Sequence, residues 1–507
     1  MPTHPTFSYA MTESAIRKGS QTFRHSYRII PGSPVDVGHA RQLLMDWRVV
    51  DDLNGARRTV HQPVKHPANP VIRIGEKSPL YHGTVIRDAH SGLFRAWVRG
   101  VDEEVIKKAG NDDVPGAHLG LYYESDNGVE WRAPSLGLFD HFGSKDNNVC
   151  FEHAMGSVIA LPERMRHRGR YAMLYQPSLV KSALPDPENM HAMTQRIAYS
   201  QDGVRWTDAA ENPVFYGRSD TLNNILYNPE RDVFMHYRRS TVNAGEIRRI
   251  AYSESADLIS WTQPINVVRW DEASAPALYG MPVSRYNGIY FGFLWNLWSH
   301  VEHEKFLGNG KDFKMDVELA WSRDGVSWER HPERPTFIPN SQPLKGAYDW
   351  GMVQAVQHIT EVGDEVYIYY NGRPYLHKPG QAKSSSDMPP TLCLATLKRD
   401  RFVSVSTGDL GGYMLTKPLA CPGGRLHINA RTRPGGAIRV ALREGDGVRD
   451  GEWPAGFRFE QSRAFAGDSL DHVMTWEGAD SPASFPSTTI RLHFWREDAD
   501  LYSFWFE

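Results

Sequence analysis

Three stretches of the chain share one phrase: Ser125-Asp126-Asn127-Gly128-Val129-Glu130-Trp131, Ser200-Gln201-Asp202-Gly203-Val204-Arg205-Trp206 and Ser322-Arg323-Asp324-Gly325-Val326-Ser327-Trp328. A looser fourth copy runs over 253–261 with two extra residues. Each follows an aromatic-rich apolar run such as Leu121-Tyr122-Tyr123 or Leu319-Ala320-Trp321. An apolar run, an Asp/Gly turn and an immediate Trp read as a strand, a tight turn and the start of the next strand. Trp131, Trp206, Trp261 and Trp328 recur at roughly 55 to 75 residues, about one four-stranded propeller blade with its loops. The phrase is read as architecture: Ser and Asp close the turn on backbone groups, and the Trp packs between blades.

Working outward, the same triplet of strands is expected five times. The first begins at Tyr81-His82-Gly83-Thr84. The second is placed over 147–161, 171–176 and 195–200, the third over 221–228, 233–238 and 248–253, and the fourth over 279–286, 289–294 and 317–322. The fifth, over 349–360, 365–371 and 391–398, lacks the Trp phrase. From about Gly411 the pattern becomes period-two alternation between Gly/Pro turns, as in Arg425-Leu426-His427-Ile428 and Tyr502-Ser503-Phe504-Trp505-Phe506, which suits a β-sandwich. The expected class is all-β: an N-terminal arm over 1–38, a five-bladed β-propeller over 39–410 and a C-terminal β-sandwich over 411–507. A helical turn or two is expected only at 299–306.

The chain of 507 residues carries 15 Trp, 22 Tyr and 21 Phe, with a formal net charge of -3. So small a charge argues against a nucleic-acid partner. Three cysteines, Cys150, Cys393 and Cys421, are too few for a disulfide framework and lack the spacing of a zinc site. They are expected reduced and buried. No segment approaches a signal peptide or a membrane span, so a cytoplasmic, non-membrane protein is expected. No Gly-rich phosphate cradle or Gly-x-Ser-x-Gly elbow is present, which argues against nucleotide and Ser-hydrolase chemistry. The run His300, Glu302, His303, Glu304 matches no metalloprotease spacing, and neither metal nor cofactor is expected.

In a propeller the innermost strands line a channel, and what precedes them gathers at one mouth. Glu76 and His82 stand before blade one, and Asp146, Asn147 and Asn148 before blade two, with Glu152 inside that segment. Asp220 and Asn223 stand at blade three, Glu272 before blade four and Asp349 before blade five. Carboxylates gathered around one mouth push their pKa values apart, leaving one as acid and another ionised. Asp146, Asp220 and Asp349 are the positional candidates for catalysis, with Glu272 or Glu152 as the acid. Glu76, His82, Asn147, Asn148, Asn223, Arg238, Tyr279, Trp295, Trp350 and His377 are the candidates for substrate binding. Asp and Asn before a strand are also ordinary turn residues, and each aromatic is equally a packing residue.

The order of strands, the Ser-x-Asp-Gly-Val-x-Trp phrases, Ser144-Lys145-Asp146-Asn147-Asn148, Asp349-x-Gly351 followed by Gly363-Asp364-Glu365-Val366-Tyr367, and the terminal sandwich together resemble bacterial proteins of the glycoside hydrolase family 32 type. More broadly they are similar to the five-bladed furanosidase and arabinanase propellers of families 32, 43, 62 and 68. The resemblance covers roughly residues 40 to 507. It implies three carboxylates on different blades: a base or nucleophile, a general acid, and one that holds the sugar. The chain departs from the invertase pattern, having no Trp-Met-Asn-Asp-Pro-Asn-Gly, Arg-Asp-Pro or Glu-Cys motif. The expected activity is hydrolysis of a glycosidic bond in an oligosaccharide or glycoside, with a furanosidic bond as one candidate. The rivals are a transferase or phosphorolytic enzyme on the same scaffold, for which Arg218, Arg238, Arg239 and Lys145 are available, and a non-catalytic carbohydrate-binding propeller. Sugar, linkage and oligomeric state are not encoded legibly.

Overall fold

The computed structural model describes residues 34–73, 81–110, 114, 116–177, 194–216, 219, 221, 223–242, 247–271, 277–299, 313–376, 390–445, 456–485 and 488–507. It divides into two compact units, 62–399 and 1–61 with 400–507.

The first unit is a five-bladed propeller of antiparallel sheets. Blade one is Tyr81–Arg87, Phe94–Val101, His118–Ser125 and Val149–Phe151; blade two is Ser157–Ala160, Tyr171–Tyr175, Thr194–Ser200 and Thr207–Asp208. Blade three is Asn223–Asn228, Val233–Val242, Ile247–Ser255 and Ile265–Val268. In blade four the inner strand is broken into Ala277–Gly280 and Val283–Tyr286, followed by Ile289–Ser299 and Phe313–Ser322. Blade five is Met352–Val362, Glu365–Arg373 and Thr391–Lys398, and its outer strand is Val64–Lys65, from the start of the unit.

Neighbouring blades are joined through their innermost strands. Thr84 Oγ1 accepts from the Val158 N–H at 3.2 Å, Ser157 Oγ from the Ile225 N–H at 2.9 Å, and Asn224 Oδ1 from the Val283 N–H at 3.0 Å. Met352–Val362 returns to Tyr81–Arg87 by a parallel bridge between Gln357 and Thr84. Inner-strand edge amides would otherwise be unsatisfied, so at these three junctions a polar side chain of one blade completes the next. Ser157 Oγ also bonds Gln357 Oε1 across the axis, and Gln357 Nε2 donates to the Ile225 carbonyl. The channel is therefore filled at this depth.

The repeated phrase behaves as a latch. In each copy the Ser Oγ accepts the N–H three residues on, at 2.8 Å for Gly128, Gly203 and Gly325. The Asn or Asp carboxyl-type oxygen takes the next two amides. The glycine carbonyl then accepts from an aromatic of another blade: Tyr369 Oη to Gly128 at 2.7 Å, Trp97 Nε1 to Gly203 at 2.6 Å and Tyr237 Oη to Gly325 at 2.7 Å. The fourth copy is not expanded. Its frame is Ser255-Ala256-Asp257-Leu258-Ile259-Ser260-Trp261, with the same Ser and Asp turn bonds and Leu258 at φ 68° in the glycine position. Gly203 has φ +81°, and a Cβ there would lie 2.9 Å from Trp97. Gly203→Ala is expected to cost about 2 kcal/mol or more; a urea midpoint equal to the parent's would contradict this latch.

The second unit moves the expected boundaries. Val50–Asn54 pairs with Gly412–Thr416, and Ala56–Val60 with Val403–Thr407, so 34–61 and 400–410 belong with the C-terminal strands. Val35–Asp36 pairs with Leu419–Ala420, so the described end of the expected arm is part of this sheet. The two alternating runs at 425–430 and 437–442 are one strand, Leu426–Glu444, bulged where Pro434-Gly435-Gly436 was read as a turn. Thr489–Phe506 likewise joins two expected strands. Such bulges bend a strand without ending it. The ten strands enclose a core that includes Val405, Ile428, Val440, Trp476, Leu492 and Phe504.

Among the described residues the α-helix is Glu103–Ala109, capped by Asp102, whose carboxylate accepts from the Glu104 and Val105 N–H groups. Most of the helical turn expected at 299–306, the His300–Glu304 run and residues 1–33 lie outside the described residues. Cys150 and Cys393 are free and buried, whereas Cys421 is partly exposed. No described helix is long and apolar enough to cross a membrane.

Candidate active site

The inner strands all begin at one end of the ring. Antiparallel pairing brings to that end the last residues of each second strand and the first of each third. The mouth therefore holds Arg99, Tyr175, Arg238, Asn296, Asn371 and Asp316 beside the inner-strand starts. At its centre His82 packs its ring 5.0 Å from Trp295 and faces Gln354, with His82 Nε2 and Gln354 Nε2 3.4 Å apart. Trp295 Nε1 donates to the Ala355 carbonyl at 3.1 Å. A small cavity of about 50 Å³ is lined by His82, Arg99, Gly156, Tyr175, Thr221 and Asn223, among others.

The mouth carries several buried polar atoms with no hydrogen-bond partner among the described residues. Asn371, opposite Gln354 and 0% exposed, has neither carboxamide atom bonded, and Gln354 Oε1 is likewise unpaired. Gln195 Oε1, Ser219 Oγ, Thr221 Oγ1 and Asn296 Oδ1 are in the same state. Native buried polar groups are nearly always hydrogen-bonded to protein or water, so these atoms have bonding capacity to offer a ligand.

Asp316 stands out among the described carboxylates. It faces Asn296 across the pairing of Phe313–Ser322 with Ile289–Ser299, and its Oδ2 accepts from Thr336 Oγ1 at 3.1 Å. Burial raises its pKa from the usual 3.8 to about 6; the Trp298 indole, Thr336 and Asn296 act against the rise, and Glu318 adds to it. The Trp298 N–H lies near the carboxyl without the geometry of a formed bond, and Asp316 Oδ1 and Trp298 Nε1 both stand unpaired. Its neighbour Glu318, 1% exposed, is clamped by Arg330 at 2.7 and 2.6 Å, with Arg334 and Asp271 completing the network. Glu318 is thus ion-paired to arginines, while burial raises the neighbouring Asp316 carboxyl, a setting suited to acid chemistry.

The residues singled out in the sequence fall into different places. His82, Asn223, Arg238, Tyr279 and Trp295 are at the mouth. Tyr279 is covered by Arg239 at 5.0 Å and Arg248 at 5.1 Å. Trp350 is half-buried just ahead of the blade five inner strand. Glu152 follows Val149–Phe151, and its side chain is 52% exposed, 3.4 Å from His141. Asp146, Asn147 and Asn148 do not precede an inner strand. Val149–Phe151 is the outer strand of blade one, and the inner strand of blade two starts only at Ser157. Asp146 is an exposed turn residue; Asn147 ties that turn to the Ser144 carbonyl at 2.7 Å, and Asn148 donates to the Tyr122 carbonyl at 2.9 Å. Asp349 has a side chain with 0% exposure, paired to Lys65 at 2.6 Å and accepting from Tyr370 Oη at 3.0 Å. Glu76, Asp220, Glu272 and His377 lie outside the described residues. Sequence reading missed Asp316; the available signal was Asp316 and Glu318 alternating with Met315 and Val317 on a strand with apolar flanks. Among the described residues no group of three or more His, Cys, Asp or Glu could hold a metal ion.

No protein-family model matches the chain, and no curated protein matches it. Solved structures to which it is similar include an N-acetylgalactosamine deacetylase from F. plautii in complex with blood group B trisaccharide, at 15% identity and TM-score 0.44, covering 69% of this chain and 97% of that one. A glycosyl hydrolase from Bacteroides ovatus is 13% identical at TM-score 0.43, covering 72% and 98%. A Bombyx mori GH32 β-fructofuranosidase is 12% identical at TM-score 0.39, covering 86% and 95%. TM-scores this low carry no assignment of activity.

Proposed function

We propose that the protein is a glycoside hydrolase working at the propeller mouth, with Asp316 as the general acid. The observation that supports this most is the half-buried Asp316 carboxyl, raised to about 6, among unpaired polar groups on neighbouring strands. In this reading the protonated Asp316 gives its proton to the glycosidic oxygen as the bond to the anomeric carbon breaks. An ionised carboxylate on another blade attacks that carbon or deprotonates a water that does. Asp220, which precedes blade three, is proposed for that second role on sequence position alone. Asn371, Gln354 and His82 hold sugar hydroxyls.

The test is a panel of aryl glycosides and oligosaccharides, headed by fructo- and arabinofuranosides, incubated with and without phosphate. Release of monosaccharide independent of phosphate is expected. Release that requires phosphate would replace hydrolysis by phosphorolysis. Sugar binding without release across the panel would make the propeller a binding module.

A further inference from the structure

We propose that the substrate carries an anionic group, a sugar-borne carboxylate, sulfate ester or phosphate ester, and that Arg238 seats it at the mouth between blades two and three. This rests on the saccharide reading of the mouth and adds the charge class of the sugar.

Arg238 lies directly opposite Asn223, the first residue of the blade three inner strand, so the two side chains share a face at the mouth. Its guanidinium lies 4.2 Å from the centre of the Phe215 ring. Phe215 pairs with Gln195, whose amide donates to Asn223 Oδ1 at 2.7 Å. The guanidinium is thus held on an aromatic platform at the inner-strand start. Yet Arg238 Nε and Nη1 are buried and bonded to nothing. Among the described residues no carboxylate pairs with it, and burial is the sole cause acting on its pKa, which falls to about 10. It is therefore still charged at neutral pH.

The surroundings point to a ligand. Gln195 Oε1, Ser219 Oγ and Thr221 Oγ1 are buried and unpaired in the same corner, and Gln195 and Ser219 are each 1% exposed. Arg238 is half-buried, and donors taken out of water are ordinarily hydrogen-bonded. Guanidinium on an aromatic face, flanked by amide and hydroxyl groups, recognises an oxyanion attached to a polyol. Arg330 and Arg334 are committed to Glu318, and Lys65 to Asp349.

Calorimetric titration of the full chain tests this with D-glucuronate, D-galacturonate and D-glucose 6-phosphate against D-glucose, D-galactose and inorganic phosphate. At least one anionic sugar is expected to bind tenfold or more tightly than its neutral counterpart. Arg238→Gln should bring that ratio to within about twofold, and Arg238→Lys should retain part of it. The melting temperature of ligand-free Arg238→Gln should equal or exceed the parent's, since an uncompensated charge is removed; a merely structural arginine would lower it. Equal or tighter binding of the neutral sugars, no binding of any anionic sugar, or a preference that survives Arg238→Gln overturns the proposal. Inorganic phosphate binding more tightly than every anionic sugar also overturns it, making the anion a free co-substrate. Titration reads binding without turnover. A hydrolase that prefers neutral sugars would therefore defeat this inference alone, and anion-selective binding with no turnover would defeat the hydrolase reading alone.

Discussion

Asp316→Asn is expected to lower turnover by about 10²–10⁴-fold, the range contributed by a positioned general acid, while raising thermal stability at neutral pH. The two effects have one cause. Burial favours the neutral form, so the folded pKa of about 6 lies above the ordinary 3.8. Below about 3.8 the group is protonated in both folded and unfolded chains and costs nothing. As pH rises through 6 the folded protein must carry a buried carboxylate, and stability falls by at most about 3 kcal/mol. Asparagine removes that cost and also the proton. On the proposed reading, activity of the parent protein should decline above pH 6 as the acid ionises, and that alkaline limb should vanish from the residual activity of the variant. A variant with parental turnover, or an unchanged limb, assigns the proton to another group. A variant that simply melts earlier gives Asp316 a structural role.

Lys65→Met is expected to destabilise the protein by about 3–5 kcal/mol, the typical result of leaving one partner of a buried ion pair alone. Asp349 has 0% side-chain exposure and receives Lys65 at 2.6 Å and Tyr370 at 3.0 Å. Removing the ammonium leaves the carboxylate with one hydroxyl donor and an Oδ1 that already has none. Lys65 comes from the outer strand that completes blade five, so the same pair fastens the ring. Adding Asp349→Asn to Lys65→Met should recover part of the loss, because the uncompensated charge disappears. Urea unfolding at pH 7 reads both variants. A Lys65→Met cost below about 1 kcal/mol would mean that solvent reaches Asp349, and its place among the catalytic candidates would revive.

The two residues show what a one-dimensional reading sees. Asp349 was conspicuous because a carboxylate preceding an inner strand looks like a site. Its partner, Lys65, lies far away in the chain in a two-residue strand with no periodicity to read. Asp316 was inconspicuous because it sits mid-strand, where an acidic residue resembles a solvent-facing position. Only the folded blade, which sets Asn296 opposite it and Thr336 on its carboxylate, takes it largely out of water. Asp146 failed differently: a short outer strand and an inner strand lie within fifteen residues, and sequence alone merged them.

By itself the sequence determined the repeat, the turns and the blade count. Those features are local: Ser, Asp and Gly bond backbone within four residues, and alternation exposes one face of each strand. Tertiary structure decided where the propeller ends, which strand closes blade five, and which polar residues meet at the mouth. Those outcomes depend on pairings between distant segments, such as 56–60 with 403–407 or Lys65 with Asp349. The charge state of a carboxyl or guanidinium follows the burial and partners those pairings create, which spacing along the chain does not encode.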